Sequence, residues 1–454
     1  MRDTTFIHSP DQMKELAQDV LRFAKELGAS EAAVHISEGG GLSISVRKGQ
    51  IETIEQNRDK GLGVTVYLGP ERHTRRGNAS TSDFSQQSLK DTVEAAYNIA
   101  RFTAEDDCAG LPDADALEMA PRDLRLCYPW GVSVDEAVAL AKRAEGAAFA
   151  VDKRVTNSEG AGVHAQQSHF MSANSRGFMA GYAYSRHTLS VSPIAGRGAN
   201  MQRDGWYSST RDAKHLVAPE ALGIYAAQRA LSRLNARKLD TRKCPVLFEA
   251  PLAAGLLGAF VQAISGGALY RKSSFLLDSM GTRVFPAHVQ VVEDPHIVGG
   301  VASAAFDDEG VRTVQREVVK DGIVQGYFLS TYTARKLGLP STGNAGGAHN
   351  LRMHSTHSAP KDNFEAMLKK LGTGLLVTEL MGQGVNYVTG DYSRGASGFW
   401  VENGTIQYPV EEITIAGNMK QMLDQIVAIG TDTIVRGGKE TGSILIESMT
   451  VAGS

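Results

Sequence analysis

Cysteine is nearly absent from this sequence: Cys108, Cys127 and Cys244 are the only three among 454 residues. Three scattered thiols cannot form a disulfide framework, and no C-x-x-C pair exists. A disulfide scaffold and a thioredoxin-type centre are excluded, and a reducing, cytoplasmic setting is expected. An excess of one charge is also lacking. Forty-seven basic residues stand against 50 acidic ones, a net charge of -3, whereas a nucleic-acid binder carries a basic surplus that displaces counterions. The stretch from Met1 to Asp11 has no apolar core of a secretory signal. Long hydrophobic runs are missing with one exception. Pro251 to Leu269 holds no charge, but Gly255, Gly258, Gln262, Ser265, Gly266 and Gly267 dilute it. A spanning helix needs about 20 strongly apolar residues, so a buried helix and no membrane partner are expected.

Several catalytic signatures are missing too. No His is followed by Glu, which rules out the zincin helix with two His ligands and a Glu base. Gly395-Ala396-Ser397-Gly398 has the wrong spacing for a nucleophile elbow. Gly438-Lys439 is followed by Glu440 rather than Ser or Thr, so no Walker loop forms. Gly382-Gln383-Gly384 lacks the helix-opening glycine of a dinucleotide fingerprint.

What is present reads as an α+β chain. Met13, Leu16, Ala17, Val20, Leu21, Ala24 and Leu27 recur at helical spacing before Gly28. Alternating strands follow at 33–37, 42–47, 51–57 and 63–68, with a turn expected at Gly39-Gly40-Gly41. Ser82-Asp83 is expected to cap a helix over 85–102, and Ser133 a helix over 134–151. Strands resume at 154–157, 166–172, 178–185 and 188–193, and a helix spans 219–234. Beyond 240 the chain turns glycine-rich and mainly antiparallel β, with short helices near 252–264, 331–337 and 363–371. Hairpin turns are expected at Lys320-Asp321-Gly322 and Glu402-Asn403-Gly404. The expected division is residues 1–240, with subdomains 1–105 and 130–240, followed by 241–454.

Candidate sites are weighed against plainer roles. His349, His354 and His357 fall in a polar stretch that a loop can gather around zinc, or they are simply polar loop residues. Asp307-Asp308-Glu309-Gly310 reads as a solvated turn, and Arg72, His73, Arg75 and Arg76 as a charged hairpin tip that discourages strand aggregation. Two segments stand out. Gly266 and Gly267 allow close backbone approach and precede the adjacent cations Arg271 and Lys272. From Gly382 to Gly404, glycines surround Asp391, Tyr392, Ser393 and Arg394, and the density suggests a bulged sheet edge or loop that presents polar groups. A tightly turned β-domain without ligand explains the same pattern equally well.

At these segments the chain resembles the TldD/PmbA family of metallopeptidases, in its PmbA (TldE) branch. The residues that carry the likeness are YRKSSFLLDS at 270–279, FDDEGVRT at 306–313 and TARKLGLPSTG at 333–343. TELMGQGV at 378–385 and TGDYSRGASGFWVENG at 389–404 continue it, with GLGVTVY at 61–67 and CAGL at 108–111 in the first half. The resemblance implies a heterodimer in which a TldD-like partner holds zinc through an H-E-x-x-x-H helix and a late Cys. In this chain the matching positions are Gly258, Ala259 and Ala263, and no cysteine follows Cys244. The resemblance therefore implies a subunit without catalytic residues or metal of its own, the zinc lying in the partner. It also implies unfolded peptides as substrates, and family roles in degrading an antitoxin of DNA gyrase and in microcin maturation. Gly266, Gly267, Arg271, Lys272, Gly382, Gly384, Asp391, Tyr392, Ser393 and Arg394 are then the expected substrate or partner contacts, with an extended peptide added as a strand to the Gly382–Gly398 edge. The resemblance leaves a homodimer open for the chain without its partner. The alternatives are a stand-alone, metal-free peptide-binding protein and an autonomous hydrolase using His349, His354 and His357.

Overall fold

Ser9 opens the first helix, α1 (Pro10–Glu26), through a capping box: its hydroxyl accepts from the Gln12 amide, and the Gln12 side chain accepts from the Ser9 amide. Met13, Ala17, Val20 and Ala24 fall on one buried stripe of this helix. The chain continues as β1 (Glu31–Arg47), β2 (Gln50–Leu68), β3 (Arg75–Thr81), α2 (Gln86–Phe102), α3 (Val134–Val151) and β4 (Val155–Asn174). After these come β5 (Met179–Ala180), β6 (Ala183–Ala195), β7 (Gln202–Arg203), β8 (Trp206–Thr210) and α4 (Pro219–Ser232). The molecule is a computed structural model that describes residues 6–71 and 73–453. It divides into two compact units, the first running to Leu231 and including Val298–Gly300 and Ala304–Thr313.

The first unit is one antiparallel sheet in the order β3-β2-β1-β4-β6-β7, with β5 on β4 and β8 on β6. Period two puts Ile36 and Ile44 of β1 on the same face. Helices α1 and α2 cover one end of that face, packing Met13, Val20, Leu89 and Val93 against Ile36 and Val64. Helices α3 and α4 cover the other end, packing Ala141 and Leu222 against Ile44, Val46, Val163 and Leu189.

Two local expectations change. Gly39-Gly40-Gly41 is not a turn but the middle of β1. The strands are close here: a Cβ on Gly41 would lie 2.7 Å from the Ala165 carbonyl oxygen, and one on Gly39 would collide with Ser168. These glycines thus serve strand proximity rather than chain reversal. The reversal comes at Lys48 and Gly49, with φ of 51° and 71°. Their amides donate to the buried Glu145 carboxylate of α3 at 2.9 and 2.8 Å. The cap of α2 is Ser85 rather than Ser82-Asp83; Asp83 instead accepts from the Ser85 amide and the Ser85 and Ser88 hydroxyls.

The second unit holds the rest of the chain from Ser232. Its elements are β9 (Arg242–Phe248), α5 (Ala250–Ala263), α6 (Gly266–Tyr270), β10 (Val289–Asp294), β11 (Arg316–Lys320), β12 (Ile323–Val324), α7 (Thr331–Leu337) and β13 (Asn350–Ser355). There follow α8 (Phe364–Leu371), β14 (Gly374–Met381), β15 (Asp391–Glu402), β16 (Thr405–Asn418), α9 (Met419–Asp424), β17 (Ile426–Ile429), β18 (Ile434–Arg436), β19 (Lys439–Thr441) and β20 (Ile444–Ala452). Strands β16, β15, β14, β9 and β20 pair in that order, and β20 returns to β16, which closes a ring. A second sheet has the order β12-β11-β10-β13-β19-β18. The two hairpin turns form as expected, with positive φ at Asp321, Gly322, Asn403 and Gly404. Helix α5 buries Ala253, Leu256, Leu257, Phe260 and Ala263 in the main core, which accounts for the uncharged stretch. Among the described residues no helix is long and apolar enough to cross a membrane.

Two helix glycines in the first unit predict opposite outcomes. A Cβ on Gly223 of α4 would collide with the Ala144 backbone of α3, whereas one on Gly146 meets nothing within 4 Å. Gly223→Ala is expected to destabilise by about 1–3 kcal/mol through overpacking, and Gly146→Ala to stabilise by roughly 0.5–1 kcal/mol through helix propensity. Urea unfolding midpoints read both signs.

Candidate functional site

Helix α5 carries the three positions matched to the zinc motif. Ala259 and Ala263 are buried and Gly258 is partly buried. Helical spacing places 259 and 263 one turn apart on the core side. Opposite Gly258 lies the Lys439 side chain of β19, whose Cε would be 3.4 Å from a Cβ on that glycine. Glycine and alanine offer no ligand atom, so this helix does not fit a zinc ion held through these positions.

Ser265 starts α6 directly after α5, and the Ser274 hydroxyl donates to the Ala263 carbonyl at 2.6 Å, which ties the following loop to the end of α5. Gly266 is required here because a Cβ would collide with Thr333 of α7. Gly267 faces the Arg271 guanidinium, which also lies 5.3 Å from the Tyr270 ring centre. Arg271 and Lys272 are exposed and, among the described residues, make no ion pair.

The second glycine-rich segment is the hairpin from β14 to β15. Its loop folds back on β15: Ser393 donates to the Gly384 carbonyl and Asn386 to the Asp391 carbonyl, each at 2.8 Å. A Cβ on Gly384 would collide with the Ser393 carbonyl, so only glycine lets the loop lie this close. Asp391 accepts from the Thr389 hydroxyl at 2.7 Å, and Ser393 is exposed. Tyr392 is only 3% exposed, and its hydroxyl lies beside Arg394. Burial pushes that hydroxyl up to about 12, against the opposing pull of Arg394. The Nε of Arg394 and the hydroxyl of Thr378 are buried without partners. Strand β15 is flanked by β14 and β16. From Gly395 to Gly398 the expected sheet edge is therefore an interior strand paired on both sides, while 382–390 forms the loop that folds back onto β15.

The three histidines do not converge. His349 Nδ1 lies 2.9 Å from the Glu293 carboxylate, His354 sits on β13 opposite Gln290, and His357 stacks on His288 with ring centres 5.0 Å apart. Among the described residues, the one group of three candidate ligands within mutual reach is Asp106, Asp107 and Cys108, consecutive residues of a turn. Asp307 is buried rather than solvated, its carboxylate accepting from the Glu309 and Val311 amides at 2.9 Å each. At the hairpin tip, Arg75 and His73 face Glu105 at 3.0 and 3.4 Å, and Arg72 lies outside the described residues.

Family models match three successive parts of the chain: PmbA/TldA metallopeptidase domain 1 at residues 32–100, the central domain at 127–234 and the C-terminal domain at 241–453. Metalloprotease PmbA of Escherichia coli O157:H7 is 47% identical over 450 residues, 98% of each chain. The chain belongs to the TldD/PmbA family. A PmbA homolog of Haemophilus influenzae is 45% identical over 446 residues, covering 98% of this chain and 97% of that one. A solved structure from Bacteroides thetaiotaomicron, described as a proposed modulator of DNA gyrase, superposes with a TM-score of 0.90 at 26% identity, over 97% of this chain and 99% of that one. TldE of Thermococcus kodakarensis shares the fold, with a TM-score of 0.82 at 20% identity over 96% and 100% of the two chains.

Sequence reasoning passed over two features of this TldD/PmbA chain. One is a cleft of about 660 Å³ on the first unit's sheet, lined by Arg58, Trp130 and His187 among others. Its residues come from separate strands and a loop, and no motif joins them. The other is the buried network around Glu293, which accepts from the His349 amide and side chain and pairs with Arg316 at 2.7 Å. Asn344 bridges Glu293 and Arg316. Burial would raise the Glu293 carboxyl, but His349 and the Arg316 charge override it and hold it at about 2, below its ordinary 4.5. A carboxyl depressed on folding stabilises above its unfolded value and loses that contribution as pH falls through its folded value. Stability is therefore expected to drop between pH 4.5 and about 2. In Glu293→Gln this limb should flatten while stability at neutral pH falls, as read by urea midpoints across the acid range.

Proposed function

We propose that this chain is the PmbA/TldE-type, non-catalytic subunit of a cytoplasmic heterodimeric zinc metallopeptidase that degrades or processes unfolded peptides. Its partner is a TldD-like protein that carries the zinc and the hydrolytic chemistry. This chain contributes interface and substrate guidance. The observation that carries the reading is the residue set of α5: Gly258, Ala259 and Ala263 stand where the resemblance requires two histidines and a glutamate. The relatives named metalloprotease support peptide hydrolysis as the activity of the assembly. The neighbour described as a modulator of DNA gyrase supports a link to gyrase control, and the near-neutral charge makes that link indirect. The separation of His349, His354 and His357 disfavours an autonomous hydrolase built on them.

Mixing the purified chain with a TldD-like protein tests the reading. Cleavage of an unstructured peptide is expected only in the mixture and should be lost on adding a chelator. The chain alone should hold far less than one zinc, unchanged in His354→Ala. Hydrolysis by the isolated chain, or stoichiometric zinc lost in His354→Ala, would sink the proposal. Peptide binding without any partner-dependent cleavage would favour a stand-alone binding protein.

A further inference from the structure

The cleft lies on the sheet between the cluster packed by α1 and α2 and the cluster packed by α3 and α4. Strand register puts Gly40 opposite Arg58, and Leu42 opposite both Gln56 and Ala165, with His187 next to Ala165. By period two, Arg58, Gln56 and His187 all project on the helix-covered face, around a glycine that contributes no side chain. Trp130 and Gly131 form one wall. Among the described residues, no Asp or Glu lines this cleft, and Arg58 makes no ion pair.

His187 supplies the second observation. It is 1% exposed, and its Nε2 lies 2.9 Å from the Tyr128 carbonyl, which can only accept, so Nε2 carries the hydrogen. Its Nδ1 is then a bare acceptor, and it is buried without a partner. An unmet acceptor of this kind costs about 1–3 kcal/mol, a cost that an incoming N–H removes.

The adjacent rung of the same sheet already holds main chain. The amides of Ile7 and His8 donate to Glu38 at 2.6 and 3.0 Å, and Phe6 stacks on His169 with ring centres 4.0 Å apart. Glu38 and His169 pair two residues along from Gly40 and Gln167. Peptide backbone thus fits on this sheet one step from the cleft. Arg58 is suited to a carboxylate, the Gln56 amide both donates and accepts as a peptide bond does, and His187 takes an N–H. The volume of about 660 Å³ is in the range of ligand sites.

We propose that this cleft binds an extended acidic peptide, with a carboxylate on Arg58 and a main-chain N–H turned toward His187. The inference rests on the reading of the chain as a peptide-handling subunit and assigns it a site of its own, within the first unit and apart from α5.

Fluorescence anisotropy of the purified full chain tests it, using labelled Gly-Ser peptides that contain Asp and matched peptides with Asn. The Asp peptide is expected to bind about tenfold tighter, a difference of about 1.4 kcal/mol. Arg58→Gln should erase that preference, and Arg58→Lys should restore part of it. Gly131→Phe, at a position where a Cβ meets nothing within 4 Å, should fill the cleft and weaken both peptides. Equal binding of the two peptides, or unaltered binding by Arg58→Gln and Gly131→Phe, overturns the proposal. The assay needs neither zinc nor partner, so loss of partner-dependent cleavage is a separate result.

Discussion

Main-chain pairing across long strands is the interaction on which both units depend. In the first unit, β1 is hydrogen-bonded along nearly its whole length to β2 on one side and β4 on the other. Buried backbone groups must find partners, and here the sheet meets almost all of that demand. Helices are then free to cover only the parts of the face with apolar side chains. The polar band from Glu38 to His187 stays outside either apolar cluster, so the cleft follows from where the hydrophobic pattern is interrupted.

The second unit handles its polar groups in two ways. Around Glu293 every charge has a close partner, as burial of a carboxylate requires. On β14 and β15, the Thr378 hydroxyl and the Arg394 Nε are buried and unmatched. The first arrangement stabilises a fixed core; the second costs stability where the fold alone gives no reason for it.

Much of this was legible in the sequence, and the failures share a cause. Ser133 and Glu136 form the capping box that set the start of α3, because a cap is a local contact with a local signature. Asp321-Gly322 and Asn403-Gly404 were readable for the same reason. Gly39 to Gly41 were not, since glycine permits a turn and also permits neighbouring strands to crowd, and only the neighbours decide. Of the edge or loop read from the glycines at 382–398, the loop at 382–390 forms but β15 is interior, because glycine density says nothing about how many strands flank a segment. At the candidate site, the missing ligands on α5 were visible only through the family resemblance. The cleft was invisible because His187 and Arg58 meet through register.

The closed ring of the second unit has a consequence for how the chain reaches its fold. Its opening strand β9 lies between β14 and β20, and β20 is the last strand of the chain. During synthesis β9 therefore emerges long before either neighbour exists, and the ring cannot close until β20 has left the ribosome. Pairings this distant in sequence carry a heavy loop-closure cost and slow folding. The interval leaves the apolar face of β9 and all of α5 without their final cover. Losing β20 would therefore also strip β9 of one of its two neighbours.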